Sequence, residues 1–476
     1  PIGTSSDPFR GTFDGNYHVV SGLYIASGSS VGFFGCINGG TVKNLVVDGS
    51  VTGSSNVAAV VGKLTGGTLE NCGSRASVSG GNGVAGVVGY ANGSYAVSGC
   101  FNAGAVTGTG YVGGVAASED GTTPAVAAAL RNITVKGAGS TPSDNDSDAG
   151  FDITATAGFV GGIAANVTGN TVVSNCRNYA HVRVTISTGA NGAGNSGGVI
   201  GEVGGTDVSI DKCVNYGKIV VYSASNTLVN NVGGVIGNMS GGSEERPTIV
   251  AECYNYGDIS FIGNTGGVAG NVGNGNIQLR RCGNYGALAA TAGNGRTGGV
   301  AGGSSGVIDE CFNLGTVSCS PANGNNTGGI VGWVGGSAVV SNTYNKGTVT
   351  YTAANSGTLV GNKSAAGSKI VNCYNAGRAQ KDASGTALGT TGGAINGGAK
   401  NNGTNVSGCY YLSGNGNDLG QNGTSPDDVS RVKALSRAEM QAAAPSAEAF
   451  TDWDVSVWNF ESGSYPTLKN NPEKPL

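Results

Sequence analysis

The sequence predicts an all-β protein: a single-stranded right-handed parallel β-helix of about 10–13 coils, with a C-terminal cap that contains one short helix. Three observations predict this fold class. One short pattern recurs along the chain, its apolar residues alternate with a period of two, and glycine accounts for 90 of the 476 residues, about two and a half times the usual share. Because these glycines recur regularly, they indicate a fold with many tight turns rather than a disordered chain.

The recurring unit has two halves, "GGVxGxV" and "IxxCxNxGxV". Its cysteine returns after 29 residues from Cys253 to Cys282, and after 29 more at Cys311, a spacing typical of solenoid repeats. Around the last of these cysteines, apolar and polar residues alternate over 308–313, which is the pattern of a short strand. Equivalent residues of successive coils are therefore expected to lie above one another at the ~4.8 Å spacing of strands.

One small side chain per repeat, at what we call the thiol position, predicts an interior ladder of free thiols. Metal binding is not predicted, because no CxxC pair supplies converging ligands. Thr343 fills the position once, whereas Cys36 and Cys319 lie outside it and their pairing stays open. The asparagine two residues later predicts a ladder of stacked amides at a left-handed bend, and the glycine two residues after that predicts a positive φ. The thiol ladder comprises Cys72, Cys100, Cys176, Cys213, Cys253, Cys282, Cys311, Cys373 and Cys409; the asparagine ladder comprises Asn178, Asn215, Asn255, Asn284, Asn313, Asn345 and Asn375; the glycines are Gly217, Gly257, Gly286, Gly315, Gly347 and Gly377.

The N-terminal segment 13–18, "FDGNYH", and the following "VGFFGCINGGTVKNLVVDGSV" resemble the GLUG-type repeats of bacterial surface and secreted proteins. Tyr17 stands where those repeats usually have glycine, and the resemblance covers residues 1–412. It implies a parallel β-helix in an extracellular or cell-surface protein, either adhesin-like or beside an enzymatic module such as an IgA-cleaving protease. Protease activity is not implied, because the HExxH zinc motif is absent and His18 and His181 are the only histidines.

Two parts of the chain interrupt the repeat and set the predicted domains. Residues 1–412 are predicted to form the β-helix, with an irregular insertion at about 117–157 in which 130–135 is predicted to be a strand and 138–150 a protruding loop. Residues 413–476 are predicted to cap the last coil, because an uncovered sheet edge invites association. Within the cap, "DDVSRVKALSRAEMQAAA" predicts a helix at about 427–443.

Two groups of residues are candidate ligand-binding sites. A column of tyrosines follows the asparagine ladder by one residue; such a column suits sugar rings, although ring stacking that stabilises neighbouring coils explains it as well. The insertion contains "DNDSD", whose carboxylates suit Ca²⁺, but it lacks the fixed 12-residue calcium loop, so no cofactor is predicted. The tyrosines are Tyr179, Tyr216, Tyr256 and Tyr285, and the acidic candidates are Asp144, Asp146, Asp148 and Asp152.

Three functions stay open from the sequence. The first is a non-catalytic extracellular or cell-surface repeat protein, an adhesin-like stalk or binding rod, whose partner is a host or cell-wall glycan or protein. The second is a carbohydrate-active hydrolase or lyase, which needs carboxylates on one face. A shallow acidic column could be formed one or two residues before the thiol position by Asp211, Glu252 and Glu310, although solvated edge charges explain these residues too. The third is a self-associating subunit of an extracellular fibre.

Composition narrows these functions further. The net charge is −4 and only 11% of residues are charged, which excludes the clustered cations that nucleic acids require. No apolar run reaches the ~18 residues of a membrane helix. Residues 1–15 lack the pattern of a signal peptide, so an export signal is expected outside this sequence. No catalytic residue is assigned.

Overall fold

The computed structural model describes residues 1–119, 128–137, 152–186, 194–223, 231–292, 295–319, 326–351, 355–380, 395–398, 405–414 and 432–474. These residues fall into two compact units. Unit 1 comprises Pro1–Thr248 and Asn255–Ser260, and unit 2 comprises Ile249–Tyr254 and Phe261–Leu476. In each unit short strands pair in parallel with the strands of the next coil, which confirms the predicted parallel β-helix.

The strands follow one another at the spacing of the repeat. In unit 1 they are Thr12–Ile25, Ser29–Val31, Phe34–Asn38, Thr41–Ala58, Val61–Glu70, Gly73–Ser74, Ser77–Ala85, Val88–Ser98, Phe101–Asn102, Val106–Gly108, Val112–Gly113, Ala116–Glu119, Ala128–Arg131, Thr134–Val135, Ile153–Ala155, Val160–Gly161, Ala164–Val167, Thr171–Ser174, Arg177–Asn178, Val182–Ile186, Ser196–Gly197, Ile200–Val203, Ser209–Asp211, Val214–Asn215, Ile219–Ser223, Asn231–Gly233 and Ile236–Met239. Three strands contribute residues to both units: Thr248–Ala251, Tyr254–Asn255 and Ile259–Ile262.

Unit 2 continues with the same succession of short strands. They are Asn264–Gly266, Ala269–Val272, Ile277–Arg280, Gly283–Asn284, Leu288–Ala292, Arg296–Gly298, Ala301–Ser304, Val307–Asp309, Phe312–Asn313, Val317–Cys319, Asn326–Gly328, Val331–Val334, Val339–Ser341, Tyr344–Asn345, Val349–Tyr351, Ser356–Gly357, Val360–Lys363, Lys369–Val371, Tyr374–Asn375, Ala379–Gln380, Asn396–Gly398, Val406–Ser407, Cys409–Leu412, Val432–Leu435, Trp458–Asn459 and Thr467–Leu468. The last two pair antiparallel with each other.

The irregular insertion contains a complete strand position of the β-helix. Ala128–Arg131 pairs in register with Val88–Ser98 on one side and with Thr171–Ser174 on the other. The single strand predicted at 130–135 is in fact two strands, Ala128–Arg131 and Thr134–Val135, separated by a left-handed residue at Asn132. The loop predicted at 138–150 lies outside the described residues.

The residues at the thiol position line the interior. All eleven cysteines, Cys36 and Cys319 included, are buried and free. The register places Leu45 and Ile133, both fully buried, at the thiol position of coils that have no cysteine there. Each ladder thiol donates to the carbonyl oxygen two residues earlier, as Cys311 does to Asp309 at 3.2 Å. Cysteine suits the position because it is small and its S–H is a weak donor.

The left-handed corner of each coil lies directly before the thiol position. The non-glycine residues there have φ between +48° and +55°, and Gly99 and Gly408 have φ of 64° and 61°. The sequence predicted this corner at the ladder asparagines, and that prediction is wrong. The tight turn points the carbonyl of the residue before it toward the thiol. The corner residues include Asn44, Asn71, Asn132, Asn175, Lys212, Glu252, Arg281, Glu310, Asn342 and Asn372.

The asparagine ladder is confirmed, and it is fully buried. In unit 1 the Asn178 Nδ2 donates to Asn215 Oδ1 at 2.9 Å, and Asn215 donates to Asn255 at 2.8 Å. In unit 2 the same bonds join Asn284, Asn313, Asn345 and Asn375 at 2.7–2.8 Å. Each amide also bonds backbone groups two residues later, so it satisfies polar groups that water cannot reach.

The glycine predicted to need a positive φ is required for a different reason. None of these glycines is among those with positive φ. Instead, a Cβ on Gly347 would lie 2.0 Å from the carbonyl oxygen of Gly315, and one on Gly217 would lie 1.9 Å from that of Ala180. Successive coils approach each other so closely here that only a residue without a side chain fits.

The predicted helix at 427–443 is mostly wrong. Residues 427–431 lie outside the described part, and Val432–Leu435 is a strand that pairs in parallel with Cys409–Leu412. The helix is only Arg437–Met440, because Ser436 and Glu439 form a capping box that starts it there. Tertiary pairing on the last coil overrides the helical propensity of the segment.

Lys212 is an exposed residue held at a left-handed corner with φ +54°, a conformation that costs a side chain with Cβ about 1 kcal/mol. Lys212→Asn is therefore expected to raise the free energy of unfolding by about 0.5–1 kcal/mol, because asparagine tolerates this conformation better. Denaturant unfolding measures the change. Lys369→Asn, at an exposed strand position, is the control and should give no gain; equal gains in both variants would contradict the argument.

The buried thiols are expected to resist reagents while the protein is folded. Burial raises the pKa of the Cys282 thiol well above its ordinary value, and a thiol reagent needs both access and the thiolate. We expect negligible labelling by a colorimetric disulfide reagent in buffer and reaction of all eleven thiols in denaturant. Rapid labelling of several thiols in the folded protein would contradict the buried ladder.

Candidate functional site

The predicted tyrosine column forms a ring stack in unit 1. The rings of Tyr179 and Tyr216 are 4.7 Å apart and inclined by 3°, and those of Tyr216 and Tyr256 are 5.1 Å apart and inclined by 12°. Tyr179 and Tyr216 remain 43% and 41% exposed. Partial burial is the main cause that raises the pKa of the Tyr216 hydroxyl, and the neighbouring Tyr179 raises this pKa further.

This stack presents ring edges and hydroxyls to solvent. A sugar ring packs against an open aromatic face, but both faces of Tyr216 are covered by Tyr179 and Tyr256. The geometry therefore favours hydrogen bonding along the edge of the stack over stacking of a sugar on Tyr216.

The fourth predicted tyrosine, Tyr285, lies in unit 2 and is engaged differently. Its ring meets Phe312 edge-on at 5.5 Å. Its hydroxyl accepts a 2.6 Å hydrogen bond from the backbone N–H of Lys474. Tyr285 is therefore a contact of the C-terminal segment 441–474, which we call the C-terminal strap.

The C-terminal strap packs on a second aromatic column that sequence reasoning missed. This column occupies the residue directly after the thiol position in unit 2. The ring centroid of Trp453 lies 5.7 Å from that of Tyr410. The ring centroid of Trp458 lies 5.9 Å from that of Tyr374 and 6.1 Å from that of Tyr344. The signal was present in the repeats, which read "CYN", "CFN", "TYN" or, at Tyr410, "CYY" there; Gly283 interrupts the column in one coil. The column comprises Tyr254, Phe312, Tyr344, Tyr374 and Tyr410.

The hydroxyls of this column hold the C-terminal strap. Tyr374 donates to the carbonyl of Pro466 at 2.6 Å, and Tyr254 donates to Asn471 Oδ1 at 2.7 Å. Tyr344 donates to the carboxylate of Glu473 at 2.8 Å. Burial raises the pKa values of all three tyrosines, which therefore stay protonated donors.

Charged and amide groups complete this attachment. The Glu473 carboxylate also pairs with the ammonium of Lys346, and the Lys474 ammonium lies 3.7 Å from the ring centroid of Tyr254. Asn471 Nδ2 donates to the backbone carbonyl of Glu310 at 2.8 Å. The segment that the sequence predicts only as a cap on the last coil thus reaches back along unit 2.

A cavity of about 390 Å³ lies between the strap and Lys346. Its lining includes Gln441, Glu461, Tyr465 and Glu473, none of which was a predicted site residue. Glu473 is already bonded to Lys346 and to Tyr344, so this carboxylate serves the attachment of the strap.

The predicted acidic sites are not brought together. Asp144, Asp146 and Asp148 lie outside the described residues. Asp152 is described, and its carboxylate accepts a 2.9 Å hydrogen bond from the backbone N–H of His181, which is a structural role. Within the described ranges no group of three or more His, Cys, Asp or Glu residues is arranged to hold a metal ion.

The shallow acidic column proposed from Asp211, Glu252 and Glu310 is wrong. Arg281 occupies the corner position between those of Glu252 and Glu310, and its guanidinium lies 3.5 Å from the Glu252 carboxylate. Asp211 lies in unit 1, one residue before the corner, and is followed by Lys212. The corner positions therefore carry mixed charges and do not form an acidic column.

One buried carboxylate was missed by sequence reasoning. Glu202, on the strand Ile200–Val203, is buried and accepts hydrogen bonds from Asn195 Nδ2 at 2.6 Å and from Asn238 Nδ2 and Ser240 Oγ at 3.0 Å each. Burial raises the pKa of Glu202, and the three donors oppose that shift. The sequence feature that could have indicated Glu202 is its repeat, "GGVIGEV", in which a carboxylate stands where the next repeat has Asn238.

Glu202 joins two neighbouring coils, because it is in register with Asn238. The backbone N–H of Asn231 donates to Asn195 Oδ1 at 3.2 Å, which orients the Asn195 amide so that its NH₂ faces the carboxylate. The three side chains that bond the carboxylate are donors, so this geometry serves a polar link between coils.

The raised pKa of Glu202 predicts a pH effect of defined sign. The folded state holds the proton more tightly than the unfolded chain, so the stabilisation is fully present below the unfolded pKa and is lost as the pH rises through the folded pKa. We expect the unfolding free energy of the native chain, minus that of Glu202→Gln, to fall as the pH rises above the ordinary glutamate pKa of about 4.3. The exposed Glu245→Gln is the control. A flat difference for Glu202→Gln would contradict the prediction.

No model of a known protein family matches this chain, and no curated protein is significantly similar to it in sequence. In the part that the structure describes, no helix is both long and apolar enough to cross a membrane.

Proposed function

We propose that this chain is a non-catalytic β-helix repeat of an extracellular or cell-surface protein, acting as an adhesin-like stalk or binding rod. One observation carries the proposal: the same repeat positions have the same structural role in coil after coil. The asparagine ladder is one of these roles, and it is fully buried in both units. Residues that serve the fold in this way are not available to build a catalytic centre.

The outward-facing residues also favour a binding or spacer role. The corner positions carry mixed charges, and the tyrosine stack of unit 1 offers hydroxyls along its edge. The resemblance of residues 13–18 to GLUG-type repeats supports a surface or secreted location for the parent protein. Such proteins present extended repeats to glycans or proteins of a host or cell wall.

Two measurements on the purified chain test this proposal. On a glycan and matrix-protein array we expect retention of a restricted set of ligands, with retention lost in Tyr179→Ala/Tyr216→Ala. In incubations with polysaccharides we expect no release of reducing ends or unsaturated products. A carbohydrate-active enzyme is the competing function, because a buried carboxylate with a raised pKa is what an acid catalyst requires. Product release that disappears in Glu202→Gln would overturn our proposal in its favour.

A further test concerns location and assembly. Antibodies to this chain should label intact cells or the culture medium of the organism that encodes it; strictly internal labelling would overturn the surface assignment. Electron microscopy separates a stalk from a fibre subunit, because a stalk gives discrete particles at every concentration. Concentration-dependent fibres would replace the stalk with the fibre function.

A further inference from the structure

An arginine and a tryptophan of neighbouring coils are stacked on each other in unit 2. The Cζ atom of Arg296 lies 3.9 Å from the ring centroid of Trp333. Two glycines make room for this pair: a Cβ on Gly303 would lie 3.2 Å from Arg296 Nη1, and a Cβ on Gly335 would clash with the Trp333 ring. Both stacked side chains are partly exposed, so a ligand can reach the guanidinium.

The guanidinium of Arg296 has no carboxylate partner among the described residues, since none of their ion pairs includes it. Burial lowers its pKa, and no carboxylate opposes that shift. The neighbouring segments 293–294, 320–325 and 352–354 contain no aspartate or glutamate. Because a cation removed from water is normally paired, this position calls for an anion from outside the chain.

A second polar group beside Arg296 also lacks a partner. Asn326 is in register with Arg296 on the next coil, it is only 9% exposed, and its Oδ1 accepts no hydrogen bond from the described residues. The amide can therefore turn to offer its NH₂ to a carboxylate or its oxygen to a hydroxyl. A ligand that carries both an acid and a hydroxyl satisfies both residues.

The same repeat positions hold a carboxylate in unit 1. There Asn195 Nδ2 donates to Glu202, seven residues later in the same coil, at 2.6 Å. In one coil of unit 2 the equivalent positions are Arg296 and Gly303. The coil thus supplies a cation at one position and no carboxylate at the other, so the carboxylate has to come from a ligand.

We infer that Arg296, Trp333 and Asn326 form a binding site for the carboxylate of an acidic polysaccharide, a chain of uronic acid residues. The indole ring holds the guanidinium flat, and the guanidinium binds the carboxylate through two parallel hydrogen bonds. A single cation suits a monovalent carboxylate better than a phosphate monoester, which carries about two negative charges.

The neighbouring amides favour a glycan over an acidic peptide. Asn362 is in register with Trp333, so amides lie on the coils of both stacked residues. Amides bond hydroxyl groups, which a uronic acid carries beside its carboxylate and a glutamate or aspartate side chain does not. The inference goes beyond the proposed function, because it concerns a surface of unit 2 remote in sequence from the tyrosine stack and names its ligand class.

The test is fluorescence anisotropy of a fluorophore-labelled galacturonic acid hexamer titrated with the intact chain. We expect saturable binding that high salt weakens, and no binding of a galactose hexamer with the same label. Arg296→Gln should weaken binding by about tenfold or more, because it removes charge-assisted hydrogen bonds. Arg296→Lys keeps the charge but not the planar fork, so its affinity should lie between those of the native chain and Arg296→Gln.

Matched variants locate the site. Arg437→Gln makes the same charge change at an exposed position of unit 2 and should leave the affinity unchanged. Tyr179→Ala/Tyr216→Ala should also leave it unchanged, so this site and the proposed binding by the tyrosine stack fail independently. Circular dichroism checks that Arg296→Gln is folded, and Arg296→Lys decides if it is not.

Three results would overturn the inference. The first is absence of binding to the galacturonic acid hexamer. The second is an affinity that Arg296→Lys and Arg296→Gln leave unchanged. The third is equal binding of a labelled glutamic acid hexamer, which would replace the acidic polysaccharide with an acidic peptide as the ligand.

Discussion

Asn313→Ala is expected to lower the free energy of unfolding by about 3–5 kcal/mol, which is a large effect for a single substitution. The Asn313 amide donates to Asn345 Oδ1 and to the carbonyl of Gly315, both at 2.8 Å, and it accepts from Asn284 Nδ2 at 2.7 Å. Alanine removes these three buried hydrogen bonds, each worth about 0.5–1.5 kcal/mol, and a buried group left without a partner costs about 1–3 kcal/mol more. Asn284 Nδ2 and Asn345 Oδ1 keep their backbone bonds to Gly286 and Gly347. Denaturant unfolding followed by circular dichroism measures the loss.

Two variants show whether the amide ladder causes this loss. Asn459→Ala removes an exposed asparagine of the same unit and should change stability by no more than about 0.5 kcal/mol. Asn313→Asp keeps the shape of the side chain but cannot donate when it is ionised, so it should destabilise at least as much as alanine at neutral pH. If Asn313→Ala and Asn459→Ala behaved alike, the ladder would not contribute to stability.

Gly347→Ala is expected to cost about 3–4 kcal/mol, or to prevent soluble expression. A Cβ at this position would lie 2.0 Å from the carbonyl oxygen of Gly315 and 2.9 Å from Asn313 Nδ2. Two coils joined by backbone hydrogen bonds cannot move apart locally without breaking the ladder beside them. Denaturant unfolding, or the soluble yield if the variant does not fold, reports the effect.

The control for this glycine is another glycine of unit 2. A Cβ on Gly275 would meet nothing closer than 3.5 Å, so Gly275→Ala should be nearly neutral. Gly347→Asn distinguishes the two explanations of the recurring glycine, because asparagine is tolerated where a positive φ is the requirement and not where space is the requirement. A stable Gly347→Asn variant would show that close approach of the coils is not the reason for glycine.

The interior of the β-helix was readable from the repeats because each position meets its own equivalent in the next coil. That is why the repeat pattern alone predicts that Asn178 and Asn215, which are 37 residues apart, are neighbours. The assignment of the corner failed because the repeat shows which residues recur, not which backbone conformation each adopts. Asparagine and glycine suit a left-handed turn, but they also suit a buried amide ladder and a close approach, respectively.

The candidate sites were less predictable than the fold. The stack of Tyr179 and Tyr216 follows from in-register coils, whereas its covered ring faces depend on the rotamers that the rings share. The burial of Glu202 was not apparent, because an acidic residue in a repeat usually faces solvent. Its carboxylate is bonded in the interior because Asn195 of its own coil and Asn238 of the next coil converge on it.

The sequence by itself determined the parallel stacking of like residues, because a periodic chain buries its apolar positions best when each coil repeats the last. The tertiary structure alone decided where the C-terminal strap binds. Asn471 bonds Tyr254, which is 217 residues earlier in the chain, and no periodicity relates the two. Such a contact arises from the shape and hydrogen-bonding groups of a surface that exists only after the coils have formed.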